Sequence, residues 1–437
     1  MTDVRQLVQE LLAQLGSSRE AQQYLKEYSG TNRARFAVVK VGGGILRDQM
    51  DELTSALAFL HRLGLIPVVL HGAGPQLDKA LADAGIETER VDGLRVTSES
   101  VMSVARPLMY RENLRLVDAL EAKGIRARGI QHGVFQCSYL DQEKLGFVGE
   151  VEHVELHAIE GAVRSGAVPV LTCLGESPSG QVLNINADIA TRELVWKLRP
   201  HKVIFLSPTG GLLDRQDRII SAVSLTNDYD ALMQQPWLHS GMRLKLQQIN
   251  EMLMRLPDDT SVSITSAAHL TRELFTYRGA GTLVRKGEAI NVYEHPDAET
   301  LAIVKDLVER SFERTLRDDW FDKLDEPLVL LSETGRAAAI MTTGVDGIVY
   351  LDKFTVTSEA QGEGLGAAIW QVVRARFPAL YWRSRYTNPI TPWYFQQADS
   401  SNRSAGWVVF TIGVEEFTQR QSCVEDSLAR DSGWVVE

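Results

Sequence analysis

Lysine and glycine in close company are the first residues here with chemistry in them. Phe36 to Leu46 reads FAVVKVGGGIL, with Lys40 just ahead of Gly42, Gly43 and Gly44. Glycines let the backbone come close to a phosphate, and a lysine beside them supplies a point charge to phosphoryl oxygens. Two more glycine segments follow apolar runs: His71-Gly72-Ala73-Gly74-Pro75 and Ser207-Pro208-Thr209-Gly210-Gly211. A fourth, Gln361-Gly362-Glu363-Gly364-Leu365-Gly366, opens a long helical pattern and suits a pyrophosphate. Arg95 offers a guanidinium fork to a carboxylate. In an extended chain Asn184, Asn186 and Asp188 would point the same way. Lys245 sits in a helical run, where the pattern alone leaves it either a solvated lysine or part of a site.

These residues need elements to hold them. Strand-like runs at 36–41, 66–70, 168–172, 203–206, 262–265 and 282–284 alternate with helical stretches, the first spanning 47–63. That alternation argues for an α/β domain with a mostly parallel sheet and ligands at the carboxyl ends of its strands. Before it, residues 1–30 carry an amphipathic helical pattern, which serves either intramolecular packing or an oligomer contact. Beyond Pro296 the order changes: a helix from about Ala298, strands at 328–332, 337–341 and 348–356, a helix at 364–377, then strands at 380–383 and 407–411. This is a smaller α+β domain. The expected division is 1–30, 31–290 and 291–437. The stretch after Gly413 shows no usable pattern.

A chain of 437 residues exceeds one core, in keeping with that division. Its net charge of −11 disfavours nucleic-acid or anionic-membrane surfaces. Three cysteines at unrelated spacings (Cys137, Cys173, Cys423) form neither a disulfide framework nor a zinc pattern. With no apolar run of about 20 residues and no signal pattern, a cytoplasmic location is expected.

The ordered motifs VVKVGGG, HGAGP, GLRVT, NINAD and SGMRLK resemble the amino-acid kinase family, most closely its acetylglutamate kinases, over roughly 30 to 290. The resemblance implies that Lys40 and Lys245 stabilise the transferring phosphoryl group while Asp188 orients them. Arg95, Asn184 and Asn186 would hold acetylglutamate, with backbone contacts from Gly72 and Ala73. Gly42, Gly43, Gly44, Thr209, Gly210 and Gly211 would face the nucleotide, ATP with Mg2+. The chemistry suits these residue types. A carboxylate is already anionic at neutral pH, so its attack on a γ-phosphoryl needs positioning and positive charge, not a protein base. Pro208 departs from the pattern, standing where the family's kinases often carry an aspartate.

The second domain resembles the GNAT acetyltransferases, whose glycine loop binds the coenzyme A pyrophosphate. Within them, WRSR at 382–385 and NPITPWYF at 388–395 look like the synthase domain of N-acetylglutamate synthases. The resemblance implies acetyl-CoA binding by Gln361, Gly362, Gly364 and Gly366. It also implies glutamate binding by Arg383 and Asn388, amine activation by Lys353, and a proton from Tyr394 to the leaving thiolate. A lysine acts as such a base only if its pKa is brought down towards about 7–8.

Glu273, Gly279 and Gly281 resemble the inhibitor region of arginine-sensitive acetylglutamate kinases, implying L-arginine as an effector and a homo-oligomer, preferentially a tetramer. Together these readings imply a bifunctional enzyme of arginine biosynthesis. It would acetylate L-glutamate from acetyl-CoA and phosphorylate the resulting N-acetylglutamate from ATP. The alternative is a synthase with a kinase-like unit that only binds arginine.

Overall fold

The computed structural model describes residues 36–435, apart from 239, 258–259, 276–279, 359 and 361–363. The amphipathic segment 1–30 therefore lies outside the described residues, as do Gln361, Gly362 and Gly279. The chain divides into two compact units at Lys286/Gly287.

In the first unit a large sheet contains β1 (Ala37–Val41), β2 (Val68–His71), β3 (Ala127–Ile130), β4 (Val168–Leu171), β5 (Lys202–Leu206), β6 (Ala222–Ser224), β7 (Ser261–Thr265) and β8 (Thr282–Arg285). Their spatial order is β6-β8-β7-β5-β1-β2-β4-β3, parallel throughout except for the antiparallel β7–β8 pair. The apolar residues of β1, β2 and β5 are buried on both faces, as a parallel sheet covered by helices requires. Each fully buried valine or leucine contributes about 1.5–3 kcal/mol, so β1 is fixed at the centre by its own composition. Helices α1 (Gly43–Asp48), α2 (Met50–Arg62), α3 (Gly74–Asp83), α4 (Glu99–Ala122), α5 (Ala187–Leu198) and α6 (Ser240–Met254) follow in chain order.

The helix expected over 47–63 is two helices. The first begins at Gly43, inside the glycine run, and Gln49 breaks the pair with φ −133° and ψ 34°. Strand β3 was not foreseen because Ala-Arg-Gly-Ile has no apolar run, and as an edge strand it needs none. A second, four-stranded sheet (135–139, 149–154, 174–176, 182–184) also escaped the pattern, its strands being short or charged.

The second unit carries one seven-stranded sheet of β9 (Ile290–Tyr293), β10 (Leu328–Ser332), β11 (Ala337–Thr342), β12 (Val349–Val356), β13 (Leu380–Arg385), β14 (Ser400–Ser404) and β15 (Trp407–Ile412). Its order is β9-β10-β11-β12-β13-β15-β14. Alternate residues of β11 serve two layers. Ala338 and Ile340 face Val304, Leu307 and Val308 of α7 (Ala298–Phe312), whereas Ala337, Ala339 and Met341 face Ile369 and Val373 of α8 (Leu365–Arg376). Helices α9 (Thr391–Gln397) and α10 (Phe417–Ala429) complete the unit, the latter inside the stretch that showed no pattern.

Two irregularities in β12 matter for function. Ile340 pairs with Lys353 and Met341 with Leu351, so Asp352 is an extra, bulged residue. And β12 pairs with β13 only at Val349↔Leu380 and Tyr350↔Tyr381, after which the two parallel strands part.

Candidate functional site

Strand β1 delivers Lys40 at its carboxyl end, and α5 presents Asp188 from its first turn. The two meet at 2.6 Å between Nζ and Oδ1. Burial works against the Asp188 carboxylate, but Lys40 and Lys245 outweigh it and hold the group below the usual carboxylate range. Lys245, on α6, is pushed down by burial first and then by Lys40, with Asp188 opposing. Three elements distant in sequence thus share one electrostatic cluster. Lys40, Lys245 and Asp188, singled out from three separate motifs, are brought together here.

Of this cluster Lys40 lines a cavity of about 260 Å³, together with Gly43, Ala73, Arg95, Asn184 and Asn186, with Gly42 and Gly72 also on its wall. The first and second glycine loops meet here, Gly72 N–H donating to the Val41 carbonyl at 3.0 Å. Arg95 is buried and ion-paired with Asp78 of α3, so it is held in place before any ligand arrives. Asn184 donates to the Thr97 hydroxyl at 3.1 Å.

Asn184 and Asn186 both line the cavity, but the extended stretch ends there, because the chain turns into α5 at Ala187. Asn186 becomes its N-cap, its Oδ1 accepting from Asp188 and Ile189 N–H at 2.8 and 3.3 Å. It lines the cavity and fixes the helix that carries Asp188. Thr209, Gly210 and Gly211 stand at the carboxyl end of β5, beside β1 but outside this cavity; Pro208 lies against Gly44, its Cγ 3.9 Å from where a Cβ would be.

Sequence reasoning missed His71 and Asn113. His71 is fully buried, and burial lowers it to about 4, so it is neutral near pH 7; a backbone hydrogen bond at Gly72 opposes the shift. The Asn113 amide of α4 donates to the Val170 carbonyl at 2.9 Å and faces His71 Nε2 at 3.2 Å, which steadies the strand end before Gly72. Asn113 had no motif to mark it.

Glu273 is buried, its carboxylate accepting from Gly281 N–H at 3.3 Å and its carbonyl from Lys202 at 3.0 Å. A Cβ on Gly281 would meet the Ile264 carbonyl at 2.1 Å, so packing alone demands glycine there.

In the second unit the bulge turns Asp352 and Lys353 to the same side, where their side chains pair at 2.7 Å. Trp320 Nε1 donates to the same Asp352 oxygen at 3.2 Å. The Lys353 ammonium lies 5.2 Å from the Trp320 ring and 5.6 Å from that of Trp434. A carboxylate and two indole faces thus surround the Lys353 side chain. The structure also separates Lys353 from Tyr394. Lys353 lies on the α7 side of the sheet, whereas Tyr394 sits on the α8 side among Trp382, Trp393 and Phe410. Burial pushes the Tyr394 hydroxyl up, keeping its proton in place.

Arg383 stands on β13. Its guanidinium donates to the carbonyls of Ser427 and Arg430 at 2.5 and 2.7 Å, closing the C-terminal end of α10. Asn388 caps a local turn, accepting from Ile390 N–H at 3.3 Å. Gly364 has φ +88°, which favours glycine, and precedes α8; a Cβ on Gly366 would press Val356 at 3.3 Å.

Comparison with known proteins bears on both units. The model of the amino acid kinase family matches residues 35–266, more than half of the chain. The chain belongs to the amino acid kinase family. Its partner unit, residues 289–430, matches NAT, N-acetyltransferase, of N-acetylglutamate synthase, so an amino acid kinase domain is fused here to an acetyltransferase domain. An acetylglutamate kinase from Xanthomonas campestris pv. campestris is 48% identical over 95% of this chain and 99% of its own length. The human mitochondrial N-acetylglutamate synthase is 32% identical over 94% of this chain and 76% of its own. Among solved structures, N-acetylglutamate synthase from Neisseria gonorrhoeae shares the fold. Complexed with coenzyme A and N-acetyl-glutamate it gives a TM-score of 0.62 at 18% identity, covering 90% of this chain and 98% of that one. Complexed with coenzyme A and L-arginine it gives 0.56 at 17%, covering 91% and 98%.

Proposed function

We propose that this member of the amino acid kinase family catalyses two successive reactions of arginine biosynthesis. The acetyltransferase unit makes N-acetyl-L-glutamate from acetyl-CoA and L-glutamate, and the kinase unit phosphorylates that product from ATP. The observation that carries the kinase reading is the Lys40–Asp188–Lys245 cluster at a cavity shared by two glycine loops and Arg95.

In that reading Arg95 takes the α-carboxylate of N-acetylglutamate, with Asn184 beside it. The γ-carboxylate attacks the γ-phosphorus of ATP, which enters as its Mg2+ complex. A new O–P bond forms, the bond to the β-phosphate oxygen breaks, and ADP leaves. Lys40 and Lys245 supply positive charge to the transferring phosphoryl oxygens, and Asp188 keeps Lys40 aimed. No protein base is required.

In the acetyltransferase unit Tyr394, its proton retained by burial, donates to the departing coenzyme A thiolate. Lys353 takes the proton from the glutamate ammonium, the freed amine forms a C–N bond at the thioester carbon, and the C–S bond breaks. Glu273 offers a buried carboxylate suited to a guanidinium, which supports L-arginine as an effector. Pro208 beside Gly44 favours a second reading, a synthase whose kinase unit does not turn over.

Two assays on one purified sample separate the readings. Coenzyme A release with acetyl-CoA and glutamate tests the synthase; ADP formation with ATP and N-acetylglutamate tests the kinase. Coenzyme A release alone would leave the second reading standing. Loss of both activities would end the proposal. Excess L-arginine without effect on either rate would remove the effector.

A further inference from the structure

Behind the wall of the kinase cavity, Gln76 of α3 reaches across to the first glycine loop. Its Nε2 donates to the Gly43 carbonyl at 2.9 Å and lies 3.5 Å from Oε2 of Glu112, a buried carboxylate on α4 that Arg115 fastens at 3.1 Å. Both neighbours of that amide are acceptors, so its nitrogen must face them. Its oxygen is left buried and without a hydrogen-bond partner among the described residues. Buried polar atoms are seldom left unpaired, and where one is, a functional reason is the natural place to look.

The contact is close. A Cβ on Gly43 would meet Gln76 Oε1 at 2.6 Å, Pro75 Cδ at 2.9 Å and Ala73 Cα at 3.0 Å. Glycine at 43 is thus set by the approach of the second loop as much as by any phosphate. Two hydrogen bonds fasten loop to loop: the backbone bond from Gly72 N–H to the Val41 carbonyl, and the side-chain bond from Gln76 to the Gly43 carbonyl. A trans peptide is planar, so holding the Gly43 carbonyl also holds the Gly44 N–H on the opposite edge of the same plane.

We infer that Gln76 is a positioning residue for phosphoryl transfer, locking the Gly43–Gly44 peptide against the Gly72–Pro75 loop. This rests on the kinase reading above, in which the first loop faces the nucleotide and the second the acetylglutamate. Gln76 then sets the separation between the attacking carboxylate and the phosphorus. In-line attack is sensitive to that distance, and misplacement by about 1 Å can cost about 100-fold in rate. The effect belongs in kcat, because each loop can still bind its own ligand.

The test uses the full chain with Gln76→Met, which keeps length but has no donor, and Gln76→Glu, which sets a carboxylate against two acceptors. Gln76→Lys keeps a donor towards both and serves as the rescue. ADP formation should fall about 10- to 100-fold in kcat for Met and Glu, with both KM values within about threefold and Lys restoring most of the rate. Coenzyme A release, measured on the same samples, should stay at the wild-type rate. Unchanged kcat in both Met and Glu variants overturns the inference. A parallel fall of both activities also overturns it, since Gln76 would then serve folding alone. A wild-type chain that releases coenzyme A but no ADP sinks the kinase reading, and this inference with it.

Discussion

Lys40 and Lys353 each sit within 2.7 Å of an aspartate, and they are not alike. Lys40 meets Asp188 at 2.6 Å with side chains 12% and 24% exposed, at a cavity wall and beside a second lysine. Lys353 meets Asp352 at 2.7 Å with both side chains 7% exposed, enclosed by Trp320 and Trp434. The first pair is assembled from two elements far apart in sequence; the second comes from adjacent residues that a bulge turns to one side. An open pair with surplus positive charge can lend that charge to a ligand. A closed pair balances its own charges, so what it can offer a ligand is the exchange of a proton. The distance between charges does not separate the two cases; their surroundings do.

The comparison can be broken by substitution. Lys40→Ala should lower ADP formation by about 1,000-fold or more, as expected for loss of a preorganised charge, and leave coenzyme A release intact. An equal loss of both activities would show that the units are not independent. Lys353→Met should do the reverse and carry a stability cost as well. Removing one partner of a buried ion pair costs about 3–5 kcal/mol, so the second unit should unfold at clearly lower denaturant while acetyl transfer falls. Normal denaturation would mean that Asp352 finds another partner, and that the closed pair is less structural than its burial indicates.

Acid should also part the two units. His71 is neutral in the fold and titrates at about 4 instead of 6.5. A depressed value contributes stability that is present above pH 6.5 and lost as pH falls towards 4, for a fully buried group worth about 3 kcal/mol. Denaturant titrations of the first unit between pH 7 and 4.5 should therefore be steeper in pH than those of a His71→Gln variant. Identical slopes would dismiss the effect. The smallest expectation concerns the indole over Lys353. Trp434→Leu keeps apolar bulk but loses the ring face, for a contact worth about 0.5–2 kcal/mol, so acetyl transfer should drop several-fold while Trp434→Phe stays near wild type. Equal rates for Leu and Phe would reduce Trp434 to a packing residue.

What could be read beforehand follows the same division. Strand β1 was legible because a centrally buried parallel strand is a continuous apolar run, and Lys40 and the glycines follow directly from its end. Residues of the open cluster stood in motifs whose spacing survives into the fold. The closed pair was half legible: Lys353 stood out, but a one-residue bulge has no signature in sequence, so Asp352 and the face it shares could not be seen. The N-cap role of Asn186 was not legible because an N-cap and an extended strand end use the same residue types. Gln76 and Asn113 carried no signal, being defined by what lies across the cavity wall. Trp434 lay in a stretch without periodicity, held by pairing with Leu316 and not by any pattern of its own.

The early parting of β12 and β13 leaves the β12 backbone from Leu351 to Thr355 without a ladder partner on β13 among the described residues. Such amides exchange with solvent readily unless something binds them. An acyl-CoA has amides in its flexible arm and would shield them by lying in the opening. Deuterium uptake across 351–355 would then act as an occupancy gauge, legible by mass spectrometry with no turnover and no label on the ligand.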